Sequence, residues 1–311
     1  KNNLRTIFMK ILKIGVALGS QKKTIKDLIK KNYQKIIKTT GISKVFHATD
    51  KEDIISLATK ASKKVLNKEK NVDAIILITQ TPKYNIPPNS FIIQKNLKIK
   101  QKCLVFDINQ GCSGYIYGLK VAESLLNSKE INKILLITAD NYSKYCKKLN
   151  VKLLFSDSAT ATILVKSKDK MKFKFFSDGD NYNHLSQKFD NYSECINNNS
   201  LYMDGNKLFN FSLNAVPNLI NELMNENRLN NKNLDYILLH QASDIINKNI
   251  INKLKIDSNK FLTNYSKFGN TVSSTIPLLL YENLKKLKNK KILLCGFGVG
   301  LSVSSCFYDF K

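Results

Sequence analysis

The chain has 311 residues, of which 43% are hydrophobic and 24% are charged, so it is long enough to bury a sizeable core. No apolar run approaches the roughly 18 residues that a membrane-spanning helix needs, which predicts a protein without a transmembrane span. The six cysteines include no Cys-x-x-Cys pair, so we expect neither a metal site nor a disulfide framework. Reduced thiols and the lack of a recognisable leader favour a cytoplasmic location.

The net charge of +26 would ordinarily indicate a nucleic-acid partner. Only two of the 50 basic residues, Arg5 and Arg228, are arginines, although base readout and bidentate phosphate contacts favour arginine. The lysines are spread along the whole chain among many asparagines, a bias typical of an AT-rich genome. We therefore expect no nucleic-acid partner, whereas a basic surface can attract an acidic carrier protein.

In chain order, the first half alternates apolar runs with helical patterns. Residues 72–79, 103–108, 133–138 and 161–165 form near-continuous apolar runs, as expected for strands buried on both faces. Residues 53–66 and 114–126 carry apolar side chains at the spacing of an α-helix. Such alternation predicts parallel strands in a layered α/β fold.

The second half repeats this order of features. Residues 235–239 (DYILL) match the strand at 73–77, and a glutamine follows each of the two strands. A glycine-bearing strand-to-helix turn comes next, around Cys112 in the first half and around Asn270 in the second. A final apolar run, at 290–295, matches the run that follows the Cys112 turn. Three matches in order, at nearly equal spacing, indicate a duplication.

The repeat predicts two halves that face each other. We place the boundary in the charged stretch at 166–171, which assigns residues 1–166 to an N-terminal half and residues 167–311 to a C-terminal half. The N-terminal half carries the candidate nucleophile, and the C-terminal half carries a candidate histidine and asparagine.

Cys112 lies where an apolar strand gives way to a helix, between Gly111 and Ser113-Gly114. The glycines permit a tight turn and the close approach of a ligand. At a helix N-terminus a thiolate is favoured by the macrodipole, and unpaired N–H groups can receive an oxyanion. An inert buried cysteine is the alternative, because this is the commonest state of a free thiol. The local pattern does not separate the two.

His240 ends the apolar strand of the second half. A strand-end histidine is more often structural, but the duplication places this strand end opposite the Cys112 turn and thereby predicts a nucleophile–base pair. Asn270 holds the second-half position equivalent to Cys112, either as a helix N-cap or as an amide donor in the same cavity. The other histidines, His47 and His184, have polar neighbours and are expected at the surface.

The run GFGVG at 296–300 follows the last predicted strand. A lone G-x-G-x-G is a weak dinucleotide signal, and no acidic residue stands about 20 residues further on. We therefore expect a backbone donor for an oxyanion rather than a nucleotide site.

Four segments carry a family resemblance: DINQGCSGYIYGL, LLHQAS, KFGNTVSSTIPLLL and GFGVGLS. In this order they resemble the signature regions of 3-oxoacyl-(acyl-carrier-protein) synthase III and its relatives in the thiolase superfamily. The resemblance extends over nearly the whole chain. It implies a five-layered αβαβα fold built from two duplicated halves, and a homodimer.

The resemblance also implies catalytic roles. Cys112 would accept an acyl group as a thioester from acyl-CoA or acyl-carrier protein, without a permanently bound cofactor. His240 and Asn270 would hydrogen-bond the carbonyl of a malonyl thioester and stabilise the enolate left by decarboxylation. The backbone N–H groups of Cys112 and Val299 would form the oxyanion hole, although the family often has glycine where Val299 stands.

Four further positions match substrate-binding positions of the family. Gly205 and Phe209 match residues that line the pantetheine and acyl tunnel, Ser243 stands where the family has an asparagine, and Ile86 matches a residue that the partner subunit contributes. Coenzyme A is commonly held by a tryptophan and arginines in such proteins. This chain has no tryptophan, and Ile245 replaces one of the arginines. These departures favour a carrier-bound or specialised donor.

The function predicted from the resemblance is condensation of an acyl starter on Cys112 with malonyl-acyl-carrier protein and loss of CO₂, in the initiation of fatty-acid biosynthesis or in a specialised acyl pathway. One alternative is acyl transfer to an amine or hydroxyl, such as that of a surface-polysaccharide sugar, with His240 as general base and no decarboxylation. A non-enzymatic basic binding protein is the other.

Overall fold

The computed structural model describes residues 8–66, 71–145, 148–169, 171–187 and 201–310. Its strands are β1 (Phe8–Leu18), β2 (Gln21–Thr24), β3 (Lys44–His47), β4 (Ala74–Ile78), β5 (Leu104–Ile108), β6 (Lys133–Asp140), β7 (Ser158–Ser167), β8 (Met171–Ser177), β9 (Leu185–Ser186), β10 (Tyr202–Met203), β11 (Tyr236–Leu239), β12 (Phe261–Leu262), β13 (Lys290–Gly298) and β14 (Ser302–Phe310). Its helices are α1 (Ile25–Leu28), α2 (Tyr33–Thr40), α3 (Ile54–Lys63), α4 (Asn89–Leu97), α5 (Gly114–Leu126), α6 (Tyr142–Tyr145), α7 (Leu149–Leu154), α8 (Gly205–Glu226), α9 (Asp244–Leu254), α10 (Tyr265–Phe268) and α11 (Thr275–Leu287).

Two five-stranded sheets share one topology. The first has the spatial order β1-β7-β6-β4-β5, and the second has the order β8-β14-β13-β11-β12. In the first sheet β4 is parallel to β5 and β6, while β7 is antiparallel to β6 and β1. In the second sheet β11 is parallel to β12 and β13, while β14 is antiparallel to β13 and β8. The duplication predicted from the sequence is therefore present strand by strand.

The prediction of parallel pairing is right for β4, β5 and β6 but wrong for β7. Parallel neighbours need a crossover along a face of the sheet, usually through a long helix. The segment between β6 and β7 instead forms the two short helices α6 and α7. The chain consequently returns beside β6 in the opposite direction.

Five layers stack in the order helices, sheet, helices, sheet, helices. In β4, Ile76 and Ile78 face the central layer of α5 and α11, whereas Ile75 and Leu77 face the outer helices α3 and α4. This follows from the two-residue period of a strand, and it explains why β4 is apolar throughout. In the second sheet β13 alternates in the same way between the central layer and the outer helices α8 and α9. The predicted αβαβα architecture is confirmed.

The strands of the first sheet end at Ser167, and those of the second begin at Met171. The central layer has one helix from each half, so one apolar core spans both sheets. The division into domains at 166/167 stays a prediction. No helix within the described ranges is both long and apolar enough to cross a membrane.

The two halves touch backbone to backbone at Gly296 of β13. A Cβ atom at this position would lie 2.7 Å from the carbonyl oxygen of Cys112 and 2.8 Å from the Cα of Ser113. Backbone atoms cannot swing aside as a side-chain terminus can. The strand therefore fixes the position of the Cys112 turn only because residue 296 has no side chain.

We expect Gly296→Ala to destabilise the protein by roughly 1–3 kcal/mol, because the added methyl group must displace the Cys112 turn. Urea unfolding followed by circular dichroism measures the change in the free energy of unfolding. The matched control is Gly179→Ala, where an added Cβ would meet nothing within 4 Å. The control should change stability by less than about 0.5 kcal/mol. Equal effects of the two substitutions would contradict the packing described.

Candidate active site

Cys112 lies in the turn between β5 and α5. The N–H of Gly114 donates to the carbonyl of Gly111 at 2.8 Å, which closes the turn. Gly111 is needed here, because a Cβ would lie 2.2 Å from Oε1 of Gln80 and 3.0 Å from Cγ1 of Val299. The sulfur of Cys112 lies beside Gly298, whose Cβ would come within 3.3 Å of it. Glycines from both halves thus bring the backbone close to the thiol.

The thiol of Cys112 is protonated at neutral pH. Its pKa is raised to about 12, mainly by burial and also by the negative charge of Asp140, and its own backbone N–H offsets only part of the shift. This direction is opposite to that expected from the helix dipole. Ser113 is the N-cap of α5, so Cys112 lies one residue outside the helix, and the loss of hydration outweighs the dipole.

Asp140 is the last residue of β6, and its side chain forms hydrogen bonds with both halves of the chain. Its carboxylate accepts hydrogen bonds from the N–H of Gln80 at 2.9 Å and from both the N–H and the hydroxyl of Ser273. The side chain is buried, and burial raises its pKa to about 7. Because Ser273 belongs to the second half, this carboxylate couples the position of the Cys112 neighbourhood to that of the Asn270 turn.

His240 follows β11 and is held from two sides. Its backbone N–H donates to the backbone carbonyl of Cys295 at 2.7 Å, and Nδ1 of its ring lies 2.7 Å from the hydroxyl oxygen of Thr275. The ring packs edge-on against Phe297, with 5.4 Å between the ring centroids. Burial lowers the pKa of His240 to about 3. The imidazole is therefore neutral at physiological pH.

Asn270 is positioned by the backbone of the first half. Its N–H donates to the carbonyl of Leu154 at 2.9 Å, and its carbonyl accepts from the N–H of Ser156 at 2.8 Å. Its side-chain Oδ1 accepts from the N–H of Val272 at 2.8 Å, so the amide nitrogen points the other way, to 3.5 Å from Nε2 of His240. The side chain thus caps a local turn rather than a helix, and its amide N–H group faces the imidazole.

Val272 adopts a φ of +52°, which is strained for a β-branched residue. Its N–H holds the Asn270 side chain, and its own side chain is buried against the cluster that contains Cys112 and Phe155. These two sets of contacts hold the residue in a conformation that it would otherwise leave. The strain lies at the point where the asparagine and the cysteine approach each other.

The two hydrogen bonds of the Thr275 hydroxyl determine the tautomer of His240. The hydroxyl of Thr275 has one proton, and the carbonyl of Val272, 3.1 Å away, can only accept it. The bond between Thr275 and His240 must then be donated by Nδ1–H. Nε2 is left with a lone pair, which also suits the amide donor of Asn270 that faces it. His240 is therefore arranged to accept a proton at Nε2.

A cavity of about 250 Å³ lies beside Cys112. Its apolar wall consists of Phe155, Leu185, Leu201, Val272 and Val299. Its polar wall consists of Gln80, Asn109, Tyr142, Ser186 and Gln187. Val299, predicted as an oxyanion-hole donor, is thus beside the thiol, and the donor role of its N–H stays a prediction.

The four predicted substrate-binding positions lie outside this cavity within the part of the chain that the structure describes. Gly205 begins α8 with open space around its Cα, and Phe209 is half-buried on the same helix. Ser243 is buried just before α9, and Ile86 is 88% exposed. Their roles stay predictions. Among the described residues no group of His, Cys, Asp and Glu side chains could hold a metal ion.

His47 is not a surface residue, contrary to the expectation from its polar neighbours. It is buried, and Nε2 lies 3.1 Å from the carbonyl of Lys152. Alternate residues of β3 point inward, and His47 is one of them. Burial lowers its pKa, although Asp157 nearby acts in the opposite direction. His184 is half-buried.

Two solved structures and one curated relative show which class of protein the chain resembles. A structure of 3-oxoacyl-(acyl-carrier-protein) synthase III matches with a TM-score of 0.88 and 31% identity, covering 97% of this chain and 99% of its own. The 3-oxoacyl-(acyl-carrier protein) synthase of Burkholderia xenovorans LB400 matches with a TM-score of 0.90 and 28% identity, covering 97% of this chain and 94% of its own. The beta-ketoacyl-(acyl-carrier-protein) synthase III of Clostridium tetani is 33% identical over 292 residues, 86% of this chain and 87% of the relative. The fold is therefore thiolase-like.

Family models agree with these similarities. The model of 3-oxoacyl-(acyl-carrier-protein) synthase III matches residues 106–179, and the model of its C-terminal part matches residues 224–310. The chain belongs to the 3-oxoacyl-(acyl-carrier-protein) synthase III family, as the sequence motifs indicated. It is accordingly an acyltransferase.

The protonation of Cys112 predicts how its reactivity depends on pH. Iodoacetamide reacts with thiolates, so alkylation of Cys112 should accelerate about tenfold per pH unit between about pH 6 and 9, without a plateau, because the pKa lies near 12. Peptide mapping by mass spectrometry follows each cysteine separately. Cys103, half-buried with a pKa raised to about 11, is the internal reference. A plateau for Cys112 below pH 7 would reveal a thiolate–imidazolium pair and contradict the neutral pair described.

The tautomer of His240 can be read directly by ¹⁵N NMR, because the chain has only three histidines. We expect a protonated Nδ1 and an unprotonated Nε2 in the ring that is missing from the spectrum of His240→Gln. Thr275→Val should shift the proton towards Nε2 since it removes the acceptor, whereas Thr275→Ser should retain the resting tautomer. A proton on Nε2 of the unsubstituted protein would refute the assignment.

Proposed function

We propose that the protein condenses an acyl group carried on Cys112 with malonyl-acyl-carrier protein and releases CO₂. One observation supports this proposal in a chain of the synthase III family: Cys112 packs against Val272, two residues after Asn270, and the amide nitrogen of Asn270 lies 3.5 Å from Nε2 of His240. The relatives described above are named for 3-oxoacyl synthesis on an acyl-carrier protein, which supports the same reaction here.

Loading is the first step of the proposed reaction. The sulfur of Cys112 attacks the thioester carbonyl of the donor, and the lone pair on Nε2 of His240 takes the thiol proton. The carbon–sulfur bond of the donor then breaks, and its sulfur leaves with that proton. A base is required because the thiol itself has a high pKa. The backbone N–H groups of Cys112 and Val299 are the proposed donors to the tetrahedral oxyanion.

Decarboxylation and condensation follow. The amide nitrogen of Asn270 carries two N–H groups: one faces Nε2 of His240, and the other is the proposed donor to the malonyl carbonyl. Loss of CO₂ leaves an enolate, whose carbon attacks the acyl carbonyl on Cys112 and expels the thiolate. That thiolate takes up one proton from solvent water, as its raised pKa favours, and the Cys112 thiol is regenerated. His240 can donate to the same carbonyl only after its Nε2 has gained a proton, so Asn270 is the donor available from the outset.

We propose acyl-CoA or acyl-carrier protein as the donor, no permanently bound cofactor, and a cytoplasmic location. Ile245, where the family commonly has an arginine, is 44% exposed on α9 and offers no charge to a phosphate. The net charge of +26 favours association with an acidic carrier protein. These observations favour a carrier-bound donor over free acyl-CoA.

We also propose a homodimer. β5 is the outer strand of its sheet, and Leu104 on it is 44% exposed. Ile86 is 88% exposed and Phe91 is 47% exposed on the segment between β4 and β5. An open strand edge next to exposed apolar side chains is a template for pairing with a second chain. Sedimentation velocity tests this proposal, and a monomer at micromolar concentration would contradict it.

Acyl transfer to an amine or hydroxyl shares the loading step with the proposed reaction. The lone pair on Nε2 of His240 would serve it equally well, but the relatives are named for condensation. A non-enzymatic binding protein has no support, because the chain belongs to a family of acyltransferases.

Variants separate the two proposed steps. Cys112→Ala should form no acyl adduct by intact mass. Asn270→Asp keeps the oxygen that accepts from Val272 but removes the amide donor, so loading should stay within about threefold while condensation slows by roughly 100-fold or more. Rapid-quench mass spectrometry measures loading, and the yield of 3-oxoacyl product measures condensation.

The matched control is Asn249→Ala, because the amide of Asn249 donates to the carbonyl of Ile245 within α9 itself. Both steps should be unchanged in it. If none of the donors forms an acyl adduct on Cys112, the proposed function is wrong. Unchanged condensation in Asn270→Asp would remove Asn270 from the mechanism.

A further inference from the structure

The loop between β13 and β14 carries Val299, whose N–H is the second proposed oxyanion donor. The loop has only three residues, because β13 ends at Gly298 and β14 begins at Ser302. Glycines stand on both sides of Val299, with φ values of +151° for Gly298 and +138° for Gly300. Glycine populates a wide range of backbone angles, so the peptide groups around Val299 have little steric reason to keep one orientation. Other contacts must therefore hold the Val299 backbone in place.

The hydroxyl of Ser302 holds the carbonyl group of Val299. The side chain of Ser302 is buried, and its hydroxyl donates to the carbonyl oxygen of Val299 at 2.7 Å. The far end of the loop is fixed separately, because Leu301 and Asp178 exchange backbone N–H···O=C bonds of 3.0 and 2.8 Å. Rotation of the Val299 backbone would carry its carbonyl out of reach of Ser302. The bond from Ser302 consequently opposes a change in the direction of the Val299 N–H as well.

A second hydroxyl connects Ser302 to the Cys112 turn. Oγ of Ser113 lies 2.9 Å from Oγ of Ser302, and both side chains are buried. The hydroxyl of Ser302 has one proton, which goes to the Val299 carbonyl because that oxygen can only accept. Ser113 must then donate the proton of the bond between the two serines. The chain of hydrogen bonds therefore runs from Ser113 through Ser302 to Val299.

This chain of hydrogen bonds joins the two proposed oxyanion donors, which belong to different halves of the protein. Cys112 lies in the turn after β5, whereas Val299 lies in the loop after β13. Two donors stabilise a tetrahedral oxyanion together only when both reach it, at roughly 2.7–3.1 Å. Ser113 directly follows Cys112 in the chain, so its bond to Ser302 sets the Val299 loop relative to the Cys112 turn.

We propose that Ser302 is a positioning residue for the oxyanion hole. Its hydroxyl holds the Val299 backbone in the orientation that directs the Val299 N–H to the thioester carbonyl at Cys112, and Ser113 acts through Ser302. This inference rests on the proposed function, and it concerns acyl transfer rather than the reactivity of the thiol itself. Loss of the Ser302 hydroxyl should therefore slow the steps that form a tetrahedral intermediate and leave other reactions of Cys112 unchanged.

Acyl loading and alkylation of the same thiol test this separation. Acetyl and butyryl groups are offered as pantetheine, coenzyme A and carrier-protein thioesters, and the donor that loads the unsubstituted protein fastest is used throughout. Rapid-quench mass spectrometry measures loading of Cys112, and peptide mapping measures its alkylation by iodoacetamide, a substitution that forms no oxyanion. In Ser302→Ala the maximal loading rate should fall at least about tenfold, whereas the half-saturating donor concentration should stay within about threefold and the alkylation rate within about twofold.

The direction of the hydrogen bonds gives a second expectation. Ser113→Ala leaves the bond from Ser302 to Val299 intact, so loading should fall by less than about threefold. The double variant Ser113→Ala/Ser302→Ala should load as fast as Ser302→Ala alone, because Ser113 acts only through Ser302. The matched control, Ser212→Ala, removes a buried hydroxyl that also donates at 2.7 Å, to the carbonyl of Leu208 within α8. Circular dichroism verifies the fold of each variant, and the control should load at the unsubstituted rate.

Each outcome bears on a stated level of the proposal. A smaller fall in loading for Ser302→Ala, an equal fall in its loading and alkylation, or an equal fall in loading for Ser212→Ala would overturn the positioning role and leave the proposed function standing. A larger effect of Ser113→Ala than of Ser302→Ala would overturn the order of the bonds, and with it the proposal. Failure of every thioester to load the unsubstituted protein would instead overturn the proposed function.

Discussion

The backbone pairing of Asn270 with the segment around Phe155 is the interaction on which the site depends. Two hydrogen bonds join this second-half turn to Leu154 and Ser156 of the first half. Without them the amide of Asn270 would have no fixed position relative to Cys112. The buried hydrogen bonds of Asp140 to Ser273 and of Thr138 to Ser274 also join the two halves. Cys112 belongs to the first half, and His240 and Asn270 belong to the second, so this junction sets the relative positions of the three candidate catalytic residues.

The chemistry of the site starts from neutral groups. Burial raises the pKa of Cys112 and lowers that of His240, so neither carries a charge at rest. A neutral pair avoids the cost of desolvating two ions. In the proposed reaction the thiol proton is therefore transferred when Cys112 attacks the donor, and not before the donor binds. The hydroxyl of Thr275 contributes by directing the one proton of the imidazole to Nδ1. The lone pair on Nε2 of His240, the proton acceptor in the proposed reaction, is therefore present before a substrate binds.

Local sequence patterns predicted the Cys112 turn and the strand before it, because glycine spacing and apolar runs report local constraints. The internal repeat predicted two halves of the same architecture, and the two sheets do share one strand order. The repeat also predicted His240 and Asn270 as partners of Cys112, and the family resemblance added their roles toward a malonyl thioester, which stay proposals. The direction of β7 was not predictable in this way, since it depends on how the chain crosses the end of the sheet.

Other features have no local signal. Gln80 was noted only as a marker of the repeat, yet its side chain covers Gly111 and lines the cavity. The contact of Thr275 with His240 joins residues 35 positions apart, and that of Asp140 with Ser273 joins residues 133 positions apart. His47 looked exposed because its chain neighbours are polar, whereas strand alternation turns it inward. Such contacts depend on tertiary packing, and the type and spacing of neighbouring residues do not predict them.

The most direct test of the central claim is a single turnover of the acylated protein with malonyl-acyl-carrier protein labelled with ¹³C at the free carboxylate. Labelled CO₂, 3-oxoacyl product and regenerated Cys112 thiol should appear in equal amounts and at one rate. An acyl group that leaves Cys112 without labelled CO₂, or only after addition of an amine or hydroxyl acceptor, would contradict condensation as the reaction of this site.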